Sequence, residues 1–279
     1  MQLATRFSSR RNSISGFDGG TLSVDQLRSV VPSIFAESAH ISRSENYAYI
    51  PTVELVQQLD REGWAPTFAC QAKPRDIERS GHAKHMVRFR HASTELGGEE
   101  VPEIILINSH DGSTSYQMLA GFFRFVCCNG LILGNGALEV RVPHRGQVVD
   151  GVLAGADKML THFQETTSRV EHMKALTLSA PEQQAFARAA LPLRFDDAAT
   201  VSVDDALRAR RTADAGADMW STLNRVQENL VRGGLRVRNT EKRFERRKTR
   251  GVTGIGESVK LNQALWSLAE EMNRLKAAA

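Results

Sequence analysis

Residues 103–128 read EIILINSHDGSTSYQMLAGFFRFVCC, and the fold turns on how this stretch is parsed. Glu103 to Asn108 is an apolar run rich in Ile. Asp111-Gly112-Ser113 follows as a turn signal, because Asp and Gly tolerate the backbone that tight hairpins demand. Ser115 to Cys128 then predicts a long strand with a break at Gly121. Asn129-Gly130 reads as a type I′ turn into Leu131-Ile132-Leu133. On either side, His85–His91 and Leu138–Val142 alternate with the period of two that marks a strand. Strands joined by short turns predict an antiparallel meander.

Working outward, the periodicity changes. Val24 to Val31 predicts a short helix ended by Pro32. Thr52 is placed to cap a second helix in which Val53, Val56 and Leu59 recur at helical spacing, and which stops at Gly63. Beyond residue 147 the chain reads as helical. Val152, Ala156, Met159, Leu160 and Phe163 form one stripe. Pro181 opens a further helix and Val203–Arg211 another. Met219–Val231 ends at Gly233-Gly234, and Val259–Lys276 closes the series, with Leu261, Leu265, Trp266, Leu268 and Met272 on its buried side. The expected fold is α+β: an antiparallel β-meander sheet with a packed helix in the N-terminal half, and a helical C-terminal half. Residues 1–20, polar and carrying Arg6, Arg10 and Arg11, read as a flexible basic arm; 21–147 read as the sheet domain and 148–279 as the helical region.

The chain has 279 residues, 41% hydrophobic and 24% charged, a composition that supports a buried core rather than disorder. Its three cysteines, Cys70, Cys127 and Cys128, cannot all pair, which fits a reducing compartment. No signal-like or membrane-spanning apolar run occurs, so a cytoplasmic location is expected. The formal charge of +4 conceals an uneven distribution. Arg232, Arg236, Arg238, Lys242, Arg243, Arg246, Arg247, Lys248 and Arg250 share 19 residues with only Glu241 and Glu245, a segment of +7 against −3 for the rest. Like charges at this density repel, and a polyanion relieves the repulsion. The competing reading is a solvated basic face with no partner.

Motifs for enzyme chemistry are sparse. No phosphate-binding P-loop, nucleophile elbow or dinucleotide fingerprint is present. Cys127-Cys128 lacks the spacing of a zinc site, and no metal or cofactor is expected. His110, Asp111 and His144 are the residues a metal-dependent nuclease would use. Against that, neighbours along a strand point to opposite faces, and Asn108–Ser113 also reads as a hairpin whose polar groups satisfy turn amides. Arg124, on an otherwise apolar strand face, requires a carboxylate or a phosphate. Arg88 and Arg90 share one strand face, Arg141 lies on another strand, and Arg145 sits in a basic turn; all are candidate phosphate contacts. Gly251-Val-Thr-Gly254-Ile-Gly256, next to Arg250, places backbone amides where phosphates could approach.

The strings at 108–113, 123–131 and 142–146 resemble the DUF932 family. So do 224–234 (Asn-Arg-Val-Gln-Glu-Asn-Leu-Val-Arg-Gly-Gly) and 261–266 (Leu-Asn-Gln-Ala-Leu-Trp). The resemblance runs from about residue 45 onward, and it implies a phage- or plasmid-associated genetic context rather than a reaction. The order of helix, Gly63-Trp64, meandering strands, Asp111-Gly112 turn, strand and long helix is also similar to the Rad52-type single-strand annealing fold. That similarity implies a non-catalytic protein that binds and anneals single-stranded DNA as a homo-oligomeric ring or filament. The alternatives are the nuclease above and a mobile-element protein that binds a host factor.

Overall fold

The computed structural model describes residues 13–16, 20–43, 49–73, 77–94, 100–124, 129–132, 139–142, 148–238 and 247–277. Two compact units divide the chain, residues 1–130 with 136–163, and residues 131–135 with 164–279. The division falls inside the long helix α3 (Val148–Ala175) and not at residue 147, where the strand pattern ends.

The first unit is built on the expected meander. Its strands are β1 (Ser13–Ser15), β2 (Trp64–Gln71), β3 (His85–His91), β4 (Glu100–Asn108), β5 (Tyr116–Arg124), β6 (Asn129–Ile132) and β7 (Glu139–Val142). Neighbours run β1-β2-β3-β4-β5-β6, and β7 also pairs with β5. The pairings β1–β2, β2–β3, β3–β4, β4–β5 and β5–β7 are antiparallel. Residues 13–15, expected in a flexible arm, thus form an edge strand.

Two local departures have plain causes. Pro66 lacks an amide hydrogen, and β2 meets this with a register shift between Pro66 and Phe68, the usual device for a proline in a sheet. Asn129-Gly130 does not make the expected turn; both residues already lie in β6. The residues that join β5 to β6 are outside the described set.

Helix α1 (Val24–Val30) starts on a capping box in which the Ser23 hydroxyl accepts from the Gln26 amide while Gln26 Oε1 accepts from the Ser23 amide. Helix α2 (Thr52–Arg61) buries Thr52, Leu55, Val56 and Leu59; Leu55 takes the inward position expected of Val53. The chain then reverses at Gly63, whose φ of +84° suits glycine. Thr52 reaches His85 and Asn108, so α2 covers the sheet face that carries His85, Val87 and Phe89. The start of α3 lies on the same face, where Gly155 approaches Val140 and Met118.

The second unit contains the rest of α3, α4 (Ala180–Ala190), α5 (Val203–Leu207), α6 (Met219–Arg232), a two-stranded ribbon of β8 (Arg236–Val237) and β9 (Arg247–Lys248), and α7 (Ile255–Ala277). Helix α5 is shorter than the expected Val203–Arg211, and α7 starts four residues before Val259. Helix α6 forms the centre. Leu223, Val226 and Leu230 are fully buried, and Trp220 packs edge-on against Trp266 of α7. Its polar side is buried as well, and the residues there are held by hydrogen bonds and ion pairs. Gln227 donates to Asn262 at 2.8 Å, Asn229 donates to the carbonyls of Ala206 and Arg208, and Glu228 accepts from Arg211 and Arg232. The Asn-Arg-Val-Gln-Glu-Asn string is therefore a structural signature. Of the expected α7 stripe, Leu261, Leu265 and Trp266 are buried, whereas Leu268 and Met272 are only partly so.

Candidate nucleic-acid interface

The basic run 232–250 is the way out of α6 and the way back into α7. Helix α6 stops at Gly233, whose φ is +68° and whose carbonyl accepts from Arg210. A Cβ at Gly233 would lie 2.5 Å from the Arg250 carbonyl carbon, so only glycine lets the two legs of the run approach. Leu235 is buried and anchors the outgoing leg. Gly234 N and Thr249 N donate to Thr249 O and Leu235 O, and Val252 N donates to Val231 O. Between these anchors Arg236 pairs with Lys248 and Val237 with Arg247 in antiparallel register. On its other side β8 is held by Ser202 N, which donates to Arg236 O, and by Thr200 O, which accepts from Arg238 N. The run is thus the base of a β-ribbon fastened on two sides. Lys242, Arg243 and Arg246 lie outside the described residues.

The ribbon's charges differ in their surroundings. Arg232 turns back to Glu228 and is part of the α6 network. Arg236 forms a bidentate pair with Asp205, its Nε and Nη2 donating at 2.8 and 2.9 Å. Arg208, outside the basic run, donates to the same carboxylate at 2.6 Å. This pairing with Arg236 holds the Asp205 carboxyl below the usual carboxylate range. Arg238, Arg247, Lys248 and Arg250 have exposed side chains. Among the described residues no carboxylate pairs with Arg238, Lys248 or Arg250.

The arginines expected on the sheet have other fates. Arg88 and Arg90 do share a face, but that face is interior: they are 2% and 7% exposed. Arg88 Nε lies 3.4 Å from Glu103 Oε2 and Arg90 Nη2 lies 2.7 Å from Oε1. Thr67 donates to the same carboxylate, and the Arg88 guanidinium stacks on Phe68. The buried carboxylate opposite them is the physical reason these two are not surface contacts; the period-two pattern that put them on one face gave no sign of Glu103 across the next strand. Arg141 is exposed and pairs with Glu139. Arg124 stands opposite Glu100 at the end of β5. Arg145 and His144 lie outside the described residues.

His110 and Asp111 serve different neighbours. His110 is fully buried, and its Nε2 lies 3.1 Å from Thr52 Oγ1. His85 Nε2 meets that hydroxyl at 2.8 Å, and burial pushes the His85 imidazole down to about 4. Asp111 is half-buried and accepts from the Ser113 amide, an Asx-turn. Among the described residues no group of three metal-ligating side chains is gathered. The Gly251–Gly256 amides are partly used within the fold, with Val252 N bonded to Val231 O. No helix among the described residues is long and apolar enough to cross a membrane.

An α+β chain with a sheet unit, a helical unit and a basic ribbon is the class that the geometry defines. The chain belongs to the family described as domain of unknown function DUF932, whose model matches residues 39–266. It is similar to UPF0380 protein YfjQ of Escherichia coli (strain K12), 49% identical over 252 residues that cover 90% of this chain and 91% of the relative. It is equally similar to UPF0380 protein YafZ of the same organism, 49% identical over 252 residues with the same coverage. No solved structure matches the chain significantly.

Proposed function

We propose that the protein binds single-stranded DNA through the β8–β9 ribbon and promotes annealing of complementary strands, as a homo-oligomer acting in phage or plasmid recombination or repair. The observation that carries this reading is the exposed set Arg238, Lys248 and Arg250, held on a ribbon fastened to the end of α6 and to the Thr200–Ser202 segment. Cations on a fastened backbone meet phosphates without the cost of ordering that backbone. Annealing needs no reacting side chain. It needs phosphates neutralised and base edges left open to pair, and contacts confined to the backbone satisfy both conditions. The choice of single strands over duplex draws on the resemblance of the sequence pattern to Rad52-type proteins.

The test is fluorescence anisotropy with a labelled oligonucleotide and its duplex across a salt series, followed by strand pairing read by energy transfer. The expected result is tighter binding to the single strand, weakening steeply with salt, and faster pairing with protein present. Duplex preference, or binding indifferent to salt, overturns the reading. Degradation of the oligonucleotide in the presence of divalent ions favours the nuclease alternative instead.

A further inference from the structure

We infer that Asp205 sets Arg208 and Arg236 as a two-guanidinium clamp for one backbone phosphate of the bound nucleic acid. This inference rests on the ribbon reading and adds to it a residue from outside the basic run.

Helix α5 supplies the carboxylate. Ser202 caps it, its hydroxyl accepting from the Asp205 amide, which fixes Asp205 in the first turn where a carboxylate is favoured. The Asp205 side chain is 6% exposed, yet four donors converge on it. Oδ2 accepts from the Arg236 amide and Nε, and Oδ1 accepts from Arg236 Nη2 and Arg208 Nη2. The two guanidiniums above it are 63% and 65% exposed. A simple surface ion pair has one cation and an open carboxylate. Here a sunken carboxylate is shared by two open cations, and the trio keeps a net positive charge beside the exposed Asp204, whose field also reaches Arg236.

Donor counting points the same way. A guanidinium has five N–H groups. Asp205 takes two from Arg236 and one from Arg208, which leaves donors on both planes for a second anion. A phosphodiester offers two anionic oxygens, the match for two forks fixed side by side. Lys248, directly across the ribbon from Arg236 and exposed, adds a third cation. Asp205 is thus a positioning residue: it fixes two long side chains that would otherwise lose rotamer freedom on binding.

The experiment measures binding of a labelled single strand of about 30 nucleotides to the full chain across a potassium chloride series. Arg208→Gln is expected to weaken binding about fivefold on every sequence and to make the log–log salt slope shallower by about 0.7. Asp205→Asn raises the net charge by one, yet it is expected to weaken binding, because the forks lose their support. Asp205→Glu, which keeps the charge, is expected to recover part of the loss. If Asp205→Asn instead binds more tightly with a steeper slope, the site is only a charged patch and the clamp is overturned. Unchanged affinity and slope in Arg208→Gln overturn it as well. Arg208 is largely exposed, so that variant decides the matter if circular dichroism finds Asp205→Asn unfolded. A wild-type chain that does not bind the oligonucleotide overturns the ribbon reading itself, whereas a binding wild type with an indifferent Arg208→Gln overturns the clamp alone.

Discussion

The sheet unit and the ribbon use arginine in opposite ways. In the sheet, Arg88 and Arg90 are interior and converge on Glu103, a carboxylate 1% exposed. In the ribbon, Arg236 also meets a buried carboxylate, but its guanidinium and those of Arg238 and Arg250 reach solvent. As lines of sequence, Arg88 and Arg90 read as basic residues on a strand and 232–250 as a dense basic segment, and both were candidate phosphate contacts. What separates them is burial. A charge taken out of water must be matched by its surroundings, so the sheet arginines are structural. A charge left in water keeps its field for a partner.

The difference can be broken from the sheet side. Glu103→Ala removes the buried carboxylate that Arg88 and Arg90 share and is expected to cost about 3–5 kcal/mol of stability, read from urea unfolding. DNA binding by whatever folded protein remains is expected to be unchanged. Loss of binding without loss of stability would show that the sheet, not the ribbon, meets the ligand.

Acid is the next largest lever on the same unit. The His85 imidazole lies at about 4 in the fold because burial disfavours its charge, against an ordinary value of 6.5. Between those values the unfolded chain binds a proton that the folded chain refuses. Stability contributed by His85 is therefore intact above pH 6.5 and falls as pH drops towards 4, by roughly 3 kcal/mol in all. Unfolding curves at pH 7 and pH 4.5 measure this. His85→Asn is expected to flatten the dependence, and an unchanged slope would remove His85 as its source.

On the ribbon side the hinge comes first. Gly233→Ala forces a β-carbon into the Arg250 backbone at a positive φ and is expected to cost about 2 kcal/mol, with the ribbon displaced and DNA affinity reduced. Wild-type stability and affinity in this variant would mean that the two legs need not approach closely. The smallest expected effect on stability is that of Lys248→Gln, within about 0.5 kcal/mol, since the side chain is exposed. Its effect is expected in binding, as a modest loss of affinity and a shallower salt dependence.

How much of this was legible in the sequence follows from the range of the forces involved. Helices α1, α2 and α6 were legible because their stops are local: Pro32, Gly63 and Gly233-Gly234 act on their own neighbourhood. Strand β2 was hidden by Pro66, which reads as a breaker until a bulge is seen to absorb it. Asn129-Gly130 has the chemistry of a turn but lies in β6, where strand pairing overrides local preference. The basic run was plain as composition. Its sorting into internal and outward charges was not, because Arg236 depends on Asp205, 31 residues away, just as the sheet arginines depend on Glu103 on a neighbouring strand. Arg208 was missed for the same reason: nothing in its own neighbourhood sets it beside Arg236.

The central claim is that the exposed ribbon cations carry the interaction. The most direct measurement is the salt dependence of single-strand binding for the wild type and for a variant with Arg238, Lys248 and Arg250 all changed to Gln. Expected are a steep wild-type slope, a variant of wild-type stability, and a slope shallower by about 0.7 for each cation removed. Superimposable slopes and affinities in the two proteins would contradict it.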